Sequence, residues 1–458
     1  MTLTDRPDAL SGKSPGAVVA VSLPALANTG ERLELRRNGT AVDIVAYRDA
    51  PEGERYAPAT GEWVPIGATD HRPVAVGNAS TRLFVLPDTP ATVRETIADA
   101  DRRLYLAGYT FTSGPITDRL LAAHARGVDV RVVVDAAPVG GFPQVGARRL
   151  DRLAAAGVDV RVAGARRGRY DYYHAKYAVV DDRVLVTTEN WKPSGVGGHG
   201  NRGWGAVVRN RTLAVDLAEL FDADATARDA IPWERFRRDV DPVPGSRATG
   251  RYPRRFDPRS VRADAVRVLV APDDAEPALV DLLADADRSI RVQQASIDPT
   301  GPLANATLAA ARRGVAVRVL LSGAWYAREE NRRVVARLRR IAARENLDLS
   351  ARVSDPNGRF AAIHAKGVIV DDRHVVVGSI NWNPHALRAN REVTLVVSDP
   401  AAAAYYGRVF AADWRGGWRR VSALTVVALV VVVTVALRVA SRRITFDGER
   451  DAGGPDGA

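Results

Sequence analysis

From about residue 80 onward, segments of helical spacing alternate with short β-branched apolar runs, and the alternation repeats. Ala98–Arg102 (ADADR) closes one helix-like segment and opens the apolar run Leu104–Ala107. The same five letters at Ala284–Arg288 lead into Ile290–Val292. Further along, Arg126-Gly127-Val128-x-Val130-Arg131-Val132 recurs as Arg313-Gly314-Val315-x-Val317-Arg318-Val319, an offset of 186 to 187 residues. Helix, glycine stop and β-branched strand are the grammar of β–α–β units, and they predict an α/β fold with a largely parallel sheet. A repeat of this length predicts two homologous halves rather than a solenoid. The halves are expected over 80–238 and 263–415. The joint between them, 239–262, holds Pro242, Pro244, Pro253 and Pro258 among arginines and predicts an exposed linker.

The two ends of the chain break this pattern. Before residue 75, Ala17–Leu23, Leu33–Leu35 and Val42–Val45 predict strands, with turns at Asn28–Gly30 and Asn38-Gly39. This β-rich segment, running on to Trp63-Val64-Pro65, weakly resembles the closing strands of a lamin-tail-like β-sandwich. Pro15–Ala27 also imitates a signal peptide, with Lys13 before an apolar run and Ala25-Leu26-Ala27 as a small-x-small site. At the other end, Val421–Leu437 carries no charge. At about 1.5 Å per residue its 17 residues span roughly 26 Å, and continuing to Ala440 reaches the ~30 Å of a hydrocarbon core. Trp414 and Trp418 precede it, where interfacial aromatics belong. A single transmembrane helix over 421–440 is therefore expected, with a polar tail over 441–458 and a cell-membrane location. Arginines flank both ends, so the sequence leaves sidedness open, an extracytoplasmic catalytic part included.

Composition narrows the chemistry. With no cysteine, disulfides, thiolate-bound zinc, iron–sulfur clusters and cysteine nucleophiles are excluded. The net charge of +11 favours polyanionic partners, nucleic acid or anionic lipid. The stripe Arg333, Arg337, Arg340 and Arg344 has helical spacing and reads first as a solvated face.

The repeat also carries His174-Ala175-Lys176-(x)4-Asp181 and His364-Ala365-Lys366-(x)4-Asp371. These use two of the chain's four lysines, in equivalent places. Histidine and lysine two apart on a strand share one face. Each motif runs into a second apolar strand that ends in a hydroxyl and an amide: Thr188 and Asn190 in TTENW, Ser379 and Asn381 in GSINW. Two lysines and neutral donors suit the charge of a phosphodiester and its transition state. A neutral imidazole can attack phosphorus, and a protonated one can serve the leaving oxygen.

These paired motifs with the trailing Gly-Ser-x-Asn resemble the phospholipase D superfamily over roughly residues 82 to 412. The resemblance implies two halves around one cleft, a phosphohistidine intermediate, and neither metal nor cofactor. It implies that the catalytic motif residues are His174, Lys176, Asp181, His364, Lys366 and Asp371, the two aspartates reading first as structural support and otherwise as catalytic groups. The family includes phospholipases, cardiolipin synthases and nucleases. The expected substrate is thus a phosphodiester of a phospholipid or a nucleic acid, handled by a membrane-anchored monomer. A nuclease, a cardiolipin synthase-like phosphatidyltransferase and an inactive polyanion binder are the alternatives. Glu392, 28 residues after His364, matches a carboxylate that in small family members holds the motif histidine. The first half departs from this pattern, with Gly203 at that place and TTEN for Gly-Ser-x-Asn. Family habit makes His174 the nucleophile, whereas a lone Glu392 beside His364 would favour His364.

Overall fold

Val74–Leu86 and Arg259–Ala271 pair antiparallel in the middle of a 15-stranded sheet, with Ala79 opposite Ala263 and Val76 opposite Val266. The computed structural model describes residues 2–4, 18–20, 26–416 apart from 52, 58, 59, 70, 166, 167, 246 and 247, and 430–438. Outward from Val74–Leu86 come Gly203–Arg209, Arg183–Thr187, Tyr177–Val180, Arg103–Gly108, Asp129–Asp135 and Asp159–Ala163. Outward from Arg259–Ala271 come Glu392–Ser398, His374–Gly378, Lys366–Val370, Ser289–Gln294, Ala316–Leu321 and Leu349–Val353. The second half reproduces this order strand for strand, except that the short strand Ile231–Pro232 adds an antiparallel fifteenth at the edge of the first half. The segment read as a linker enters this sheet, since a strand begins at Arg259.

The sheet is mixed rather than largely parallel. Only the outer three long strands of each half run parallel. The motif strands cannot, because each turns back within two or three residues. Tyr177–Val180 pairs antiparallel with Arg183–Thr187, and Lys366–Val370 with His374–Gly378. The turns place Asp181, Asp371 and Asp372 at positive φ, a conformation aspartate tolerates better than most residues.

Helices fill the crossovers as the glycine stops predict. Ser113 caps Gly114–Ala125 through the Ile116 N–H, and Gly127, at φ +88°, ends that turn where a Cβ would be strained. Pro302–Arg312 ends the same way at Gly314. The stripe Arg333, Arg337, Arg340 and Arg344 lies on Arg328–Glu345 and faces solvent, opposite buried Val334, Val335 and Leu338. Two apolar clusters belong to one half each, and a third takes residues from both, Val85 and Val186 with Val268 and Leu395.

In the N-terminal segment, Gly30–Arg37 pairs with Thr40–Arg48 across Asn38-Gly39, both at positive φ as a tight hairpin requires. Glu54–Ala57 pairs with Glu62–Pro65, and Tyr47, Tyr56 and Trp63 pack together between the two hairpins. Val18–Ala20 is a short strand, while most of the signal-like stretch Pro15–Ala27 lies outside the described residues. Among the described residues no helix is long and apolar enough to cross a membrane. Of the span expected over 421–440, only 430–438 is described, as helix; the rest lies outside the described residues.

His71 ties the entry to the first half to both halves. Its Nδ1 lies 2.9 Å from Asp274 and its Nε2 3.1 Å from Asp216. Burial lowers the imidazole pKa, but the two carboxylates outweigh it and push the value up to about 9. A pKa raised on folding stabilises fully below the unfolded value of about 6.5 and is lost as pH rises through the folded value. His71→Ala is expected to cost about 2 kcal/mol in urea unfolding at pH 6. The difference from the parent should shrink as pH passes through about 9.

Candidate active site

The two motifs meet at one place, because each half presents the start of its motif strand at the same end of the sheet. His174, Lys176 and Lys366 are buried, and His364 nearly so. Lys176 Nζ donates to the His174 carbonyl at 2.6 Å, and Lys366 Nζ to the His364 carbonyl at 2.9 Å. The charges of Lys366 and His364 reach His174 across the halves.

The carboxylates are crossed. Glu392, from the second half, lies with its two oxygens 2.8 and 2.9 Å from Nδ1 of His174 in the first. Glu189, from the first half, lies 3.2 Å from Nδ1 of His364 in the second. Both carboxylates are fully buried. Glu392 is therefore not the partner of His364, as spacing along its own half suggested. The first half's lack of a carboxylate at Gly203 does not leave His364 bare. Spacing within one half misleads here because the seam puts the end of each half over the motif of the other.

The backbone crosses too. The His174 N–H donates to the Arg391 carbonyl at 2.9 Å, and the His364 N–H to the Arg202 carbonyl at 3.0 Å. Both arginines are buried. Arg391 pairs with Asp224 and Asp273, and Arg202 with Asp88 and Asp413. Each thus bonds one aspartate from either half, so the peptides that hold the histidines are braced from both sides. Leaving one of these charges unpaired would cost several kcal/mol, about 3–5.

Burial sets the electrostatics. Burial first, then Lys176, Lys366 and His364, hold the His174 pKa well below the ordinary value. Burial and Lys366 take His364 down to about 4, against the opposing pull of Glu189. Burial lowers Lys176 well below its usual value and brings Lys366 to about 8. It pushes Glu392 up to about 8 despite both lysines. Burial would raise Glu189 as well, but His364, Lys366 and Asn201 hold it below the usual range. Such opposed shifts in one cluster are what acid–base sites are built from.

A protein-family profile described as "Cardiolipin synthase, PLD-like domain" matches residues 93–225 and 279–414, well over half of the chain. The chain belongs to the phospholipase D superfamily. Cardiolipin synthase B of Salmonella typhi is 25% identical over 330 residues, covering 67% of this chain and 73% of that protein. The mitochondrial cardiolipin hydrolase of Xenopus tropicalis is 34% identical over 93 residues, 20% of this chain and 40% of that one. The fold matches the crystal structure of phosphatidylserine synthase from Haemophilus influenzae Rd KW20 at a TM-score of 0.54 and 17% identity, covering 71% and 84% of the two chains. The protein is accordingly a phospholipase D superfamily phosphodiesterase, a hydrolase or transphosphatidylase.

The remaining motif residues of this superfamily member take other positions. Asp181 and Asp371 sit at the far ends of their strands, about 16 Å of extended chain from the lysines. Asp181 accepts from the N–H groups of Asp101, Arg102 and Arg103, and Asp371 from those of Asp287, Arg288 and Ser289. Burial opposes ionisation of both, yet these donors hold each pKa below the ordinary value. Each motif aspartate is thus the clamp for its own ADADR turn, which puts the two repeated sequence signatures in one hydrogen-bonded unit. Thr188 Oγ1 accepts from the Trp204 N–H, and Ser379 Oγ bonds both polar groups of Val393, so these hydroxyls pin the strand ends. Asn190 is buried and Asn381 half-buried beside them.

Sequence patterns missed several groups at the site. Tyr109 packs edge-on against His174 at 4.7 Å, with Lys176 over its ring. Asn201, Asn390 and the two arginines are visible as the repeated Asn-Arg before Gly203 and Glu392, and Glu189 as part of the departing TTEN, but nothing in one dimension says that these cross the seam. Beside Tyr172, a cavity of about 690 Å³ of mixed polar and apolar lining takes in Glu54, Ile66, Arg169, Asp171, His385 and Arg388. Among the described residues no group of three or more His, Asp or Glu is arranged to hold a metal ion.

Proposed function

We propose that the protein cleaves or transfers the phosphodiester of a phospholipid through a phosphohistidine on His174. Two imidazoles from two halves, each fixed at Nδ1 by a buried carboxylate, carry this assignment. With Glu392 ionised, Nδ1–H of His174 donates to it and Nε2 attacks phosphorus. The P–O bond to the leaving alcohol breaks, and His364, protonated on Nε2 once the anionic phosphate of the substrate lies beside it, gives that oxygen its proton. In the second step the incoming hydroxyl, of water or of an alcohol, gives its proton to His364 as its oxygen displaces His174. Lys176, Lys366, Asn190 and Asn381 are assigned to the non-bridging oxygens, whose charge they stabilise in the transition state. Thr188 and Ser379 support them through the strand ends, and Asp181 and Asp371 through the turns. The lipid class rests on the resemblance to cardiolipin synthase B.

The chain is further proposed to be anchored by residues 421–440. Within the described turn, Val430 to Val433, Val435 and Leu437 are all exposed, an apolar helix surface on every side.

One set of assays tests these assignments together. The full chain in lipid nanodiscs, with EDTA present, is offered labelled phosphatidylglycerol vesicles and labelled single-stranded DNA. Lipid turnover that survives the chelator is expected, with the protein in the membrane fraction. A variant ending at Arg415 should leave that fraction and keep activity on a soluble phosphodiester. DNA cleavage without lipid turnover would make the protein a nuclease. Loss on chelation, restored by a divalent ion, would point to a metal mechanism. A truncated form that stays with the membrane would place the anchor elsewhere.

A further inference from the structure

We infer that Glu189 is the positioning residue for His364, occupying the slot that in the other half is filled by Glu392, the counterpart of Gly203. The inference rests on the acid–base role proposed for His364 and identifies the group that enforces it.

Four observations converge. First, the two sides of the seam are equivalent up to the carboxylate. Arg391 bridges Tyr173, and its carbonyl accepts from the His174 N–H; Arg202 bridges Ile363, and its carbonyl accepts from the His364 N–H. The next residue is Glu392 on one side and Gly203 on the other. Second, the space is already occupied. A Cβ placed on Gly203 would lie 2.3 Å from Cγ and 2.6 Å from Oε1 of Glu189, so a side chain at 203 and the Glu189 carboxylate exclude each other. Third, the polar surroundings are the same. Asn390 Nδ2 donates to Glu392 at 3.1 Å, and the matching Asn201 Nδ2 donates to Glu189 at 2.9 Å. Fourth, where the first half has Glu189 between Thr188 and Asn190, the second has buried Ile380 between Ser379 and Asn381. One half therefore reads Glu-and-Gly and the other Ile-and-Glu, and each arrangement delivers one carboxylate to the imidazole across the seam.

The exchange makes a specific prediction. Glu189→Ile removes the carboxylate and leaves His364 without a partner for Nδ1. Gly203→Glu alone crowds Glu189. Glu189→Ile with Gly203→Glu reproduces the other half and should hand His364 a carboxylate again. Losing such an orienting carboxylate costs about 10⁴-fold in the best-studied imidazole site, which bounds the expected loss. The assay compares a phospholipid in vesicles with bis(p-nitrophenyl) phosphate, together with thermal midpoints and the yield of trapped phosphohistidine. Glu189→Ile should lose far more turnover on the lipid, whose alkoxide needs a proton, than on the nitrophenyl ester. The double variant should recover most of the lost lipid turnover. Glu189→Gln, which keeps the shape and an acceptor for Nδ1, should fall between parent and Glu189→Ile.

Parent-like lipid turnover by Glu189→Ile overturns the inference. So does an equal loss on both substrates, which marks a purely structural role. A double variant with a parent-like midpoint but no recovery overturns the exchange. If Glu189→Ile does not fold, Glu189→Gln decides, and parent-like turnover on both substrates counts against the role. His364→Ala in the same assay separates the two levels. If it turns over lipid like the parent, the acid–base assignment of His364 itself fails. If it loses lipid turnover while Glu189→Ile keeps it, only the inference about Glu189 fails.

Discussion

His174→Ala should abolish both turnover and the trapping of labelled phosphate on the protein, while His364→Ala should keep measurable cleavage of a nitrophenyl phosphodiester. The asymmetry follows from what each imidazole is asked to do. Removing a nucleophile removes the covalent route, a loss on the order of 10⁴-fold or more whatever the leaving group. Removing a general acid costs about 10²- to 10⁴-fold when the leaving oxygen is a poor one and little when it leaves unaided. The local chemistry supports this order. His174 has the closer carboxylate, both oxygens within 2.9 Å of Nδ1, which fixes the tautomer that leaves Nε2 free to attack, and burial with Lys176 holds its pKa well below the ordinary value. The argument that favoured His364, a lone Glu392 beside it, no longer holds because Glu392 contacts His174. Rapid quench under conditions that preserve acid-labile phosphohistidine, followed by peptide mapping, gives the answer. A phosphopeptide containing His364 and a silent His174→Ala trap would reverse the roles. Equal loss with every leaving group would remove the division of labour.

Residues 80–238 or 263–415 expressed alone should show no phosphodiesterase activity as monomers. Each isolated half keeps its His-Lys pair but loses the carboxylate that holds the histidine, Glu392 in one case and Glu189 in the other. Each also exposes a buried seam. Val268 and Leu395 share a core cluster with Val85 and Val186, and Trp204 stacks on Tyr406 at 4.4 Å. Arg202 and Arg391 would each be left with one aspartate in place of two. Activity assays with the oligomeric state measured by light scattering test this. Full turnover by a monomeric half would mean that one motif suffices.

Much of this architecture is legible in the sequence. ADADR, the Arg-Gly-Val runs and the two motifs recur at nearly one offset, and the structure repeats the same strand order on either side of Val74–Leu86 and Arg259–Ala271. What escapes is whatever depends on the seam. The motif hairpins turn the sheet from parallel to mixed, because Asp181 and Asp371 accept a left-handed turn that the apolar pattern alone does not record. Glu189 falls at the unspecified position of a hydroxyl motif that already departs from Gly-Ser-x-Asn, so in one dimension it reads as part of that departure. Gly203 likewise looks like a missing carboxylate. Only in three dimensions do the two departures become one feature, since the glycine is what leaves room for the glutamate.

The crossed carboxylates also bear on the order in which the chain becomes reactive. During synthesis from the N-terminus, His174 leaves the ribosome more than two hundred residues before Glu392. At about 5–20 residues per second, that gap lasts at least ten seconds. Throughout it, the first half carries an imidazole with no carboxylate to fix its tautomer, and for most of it the second lysine, Lys366, is not yet made. Reactivity toward phosphodiesters therefore arrives only when the strand holding Glu392 docks. On the proposed mechanism, a nascent or half-degraded chain is expected to leave phosphodiesters intact.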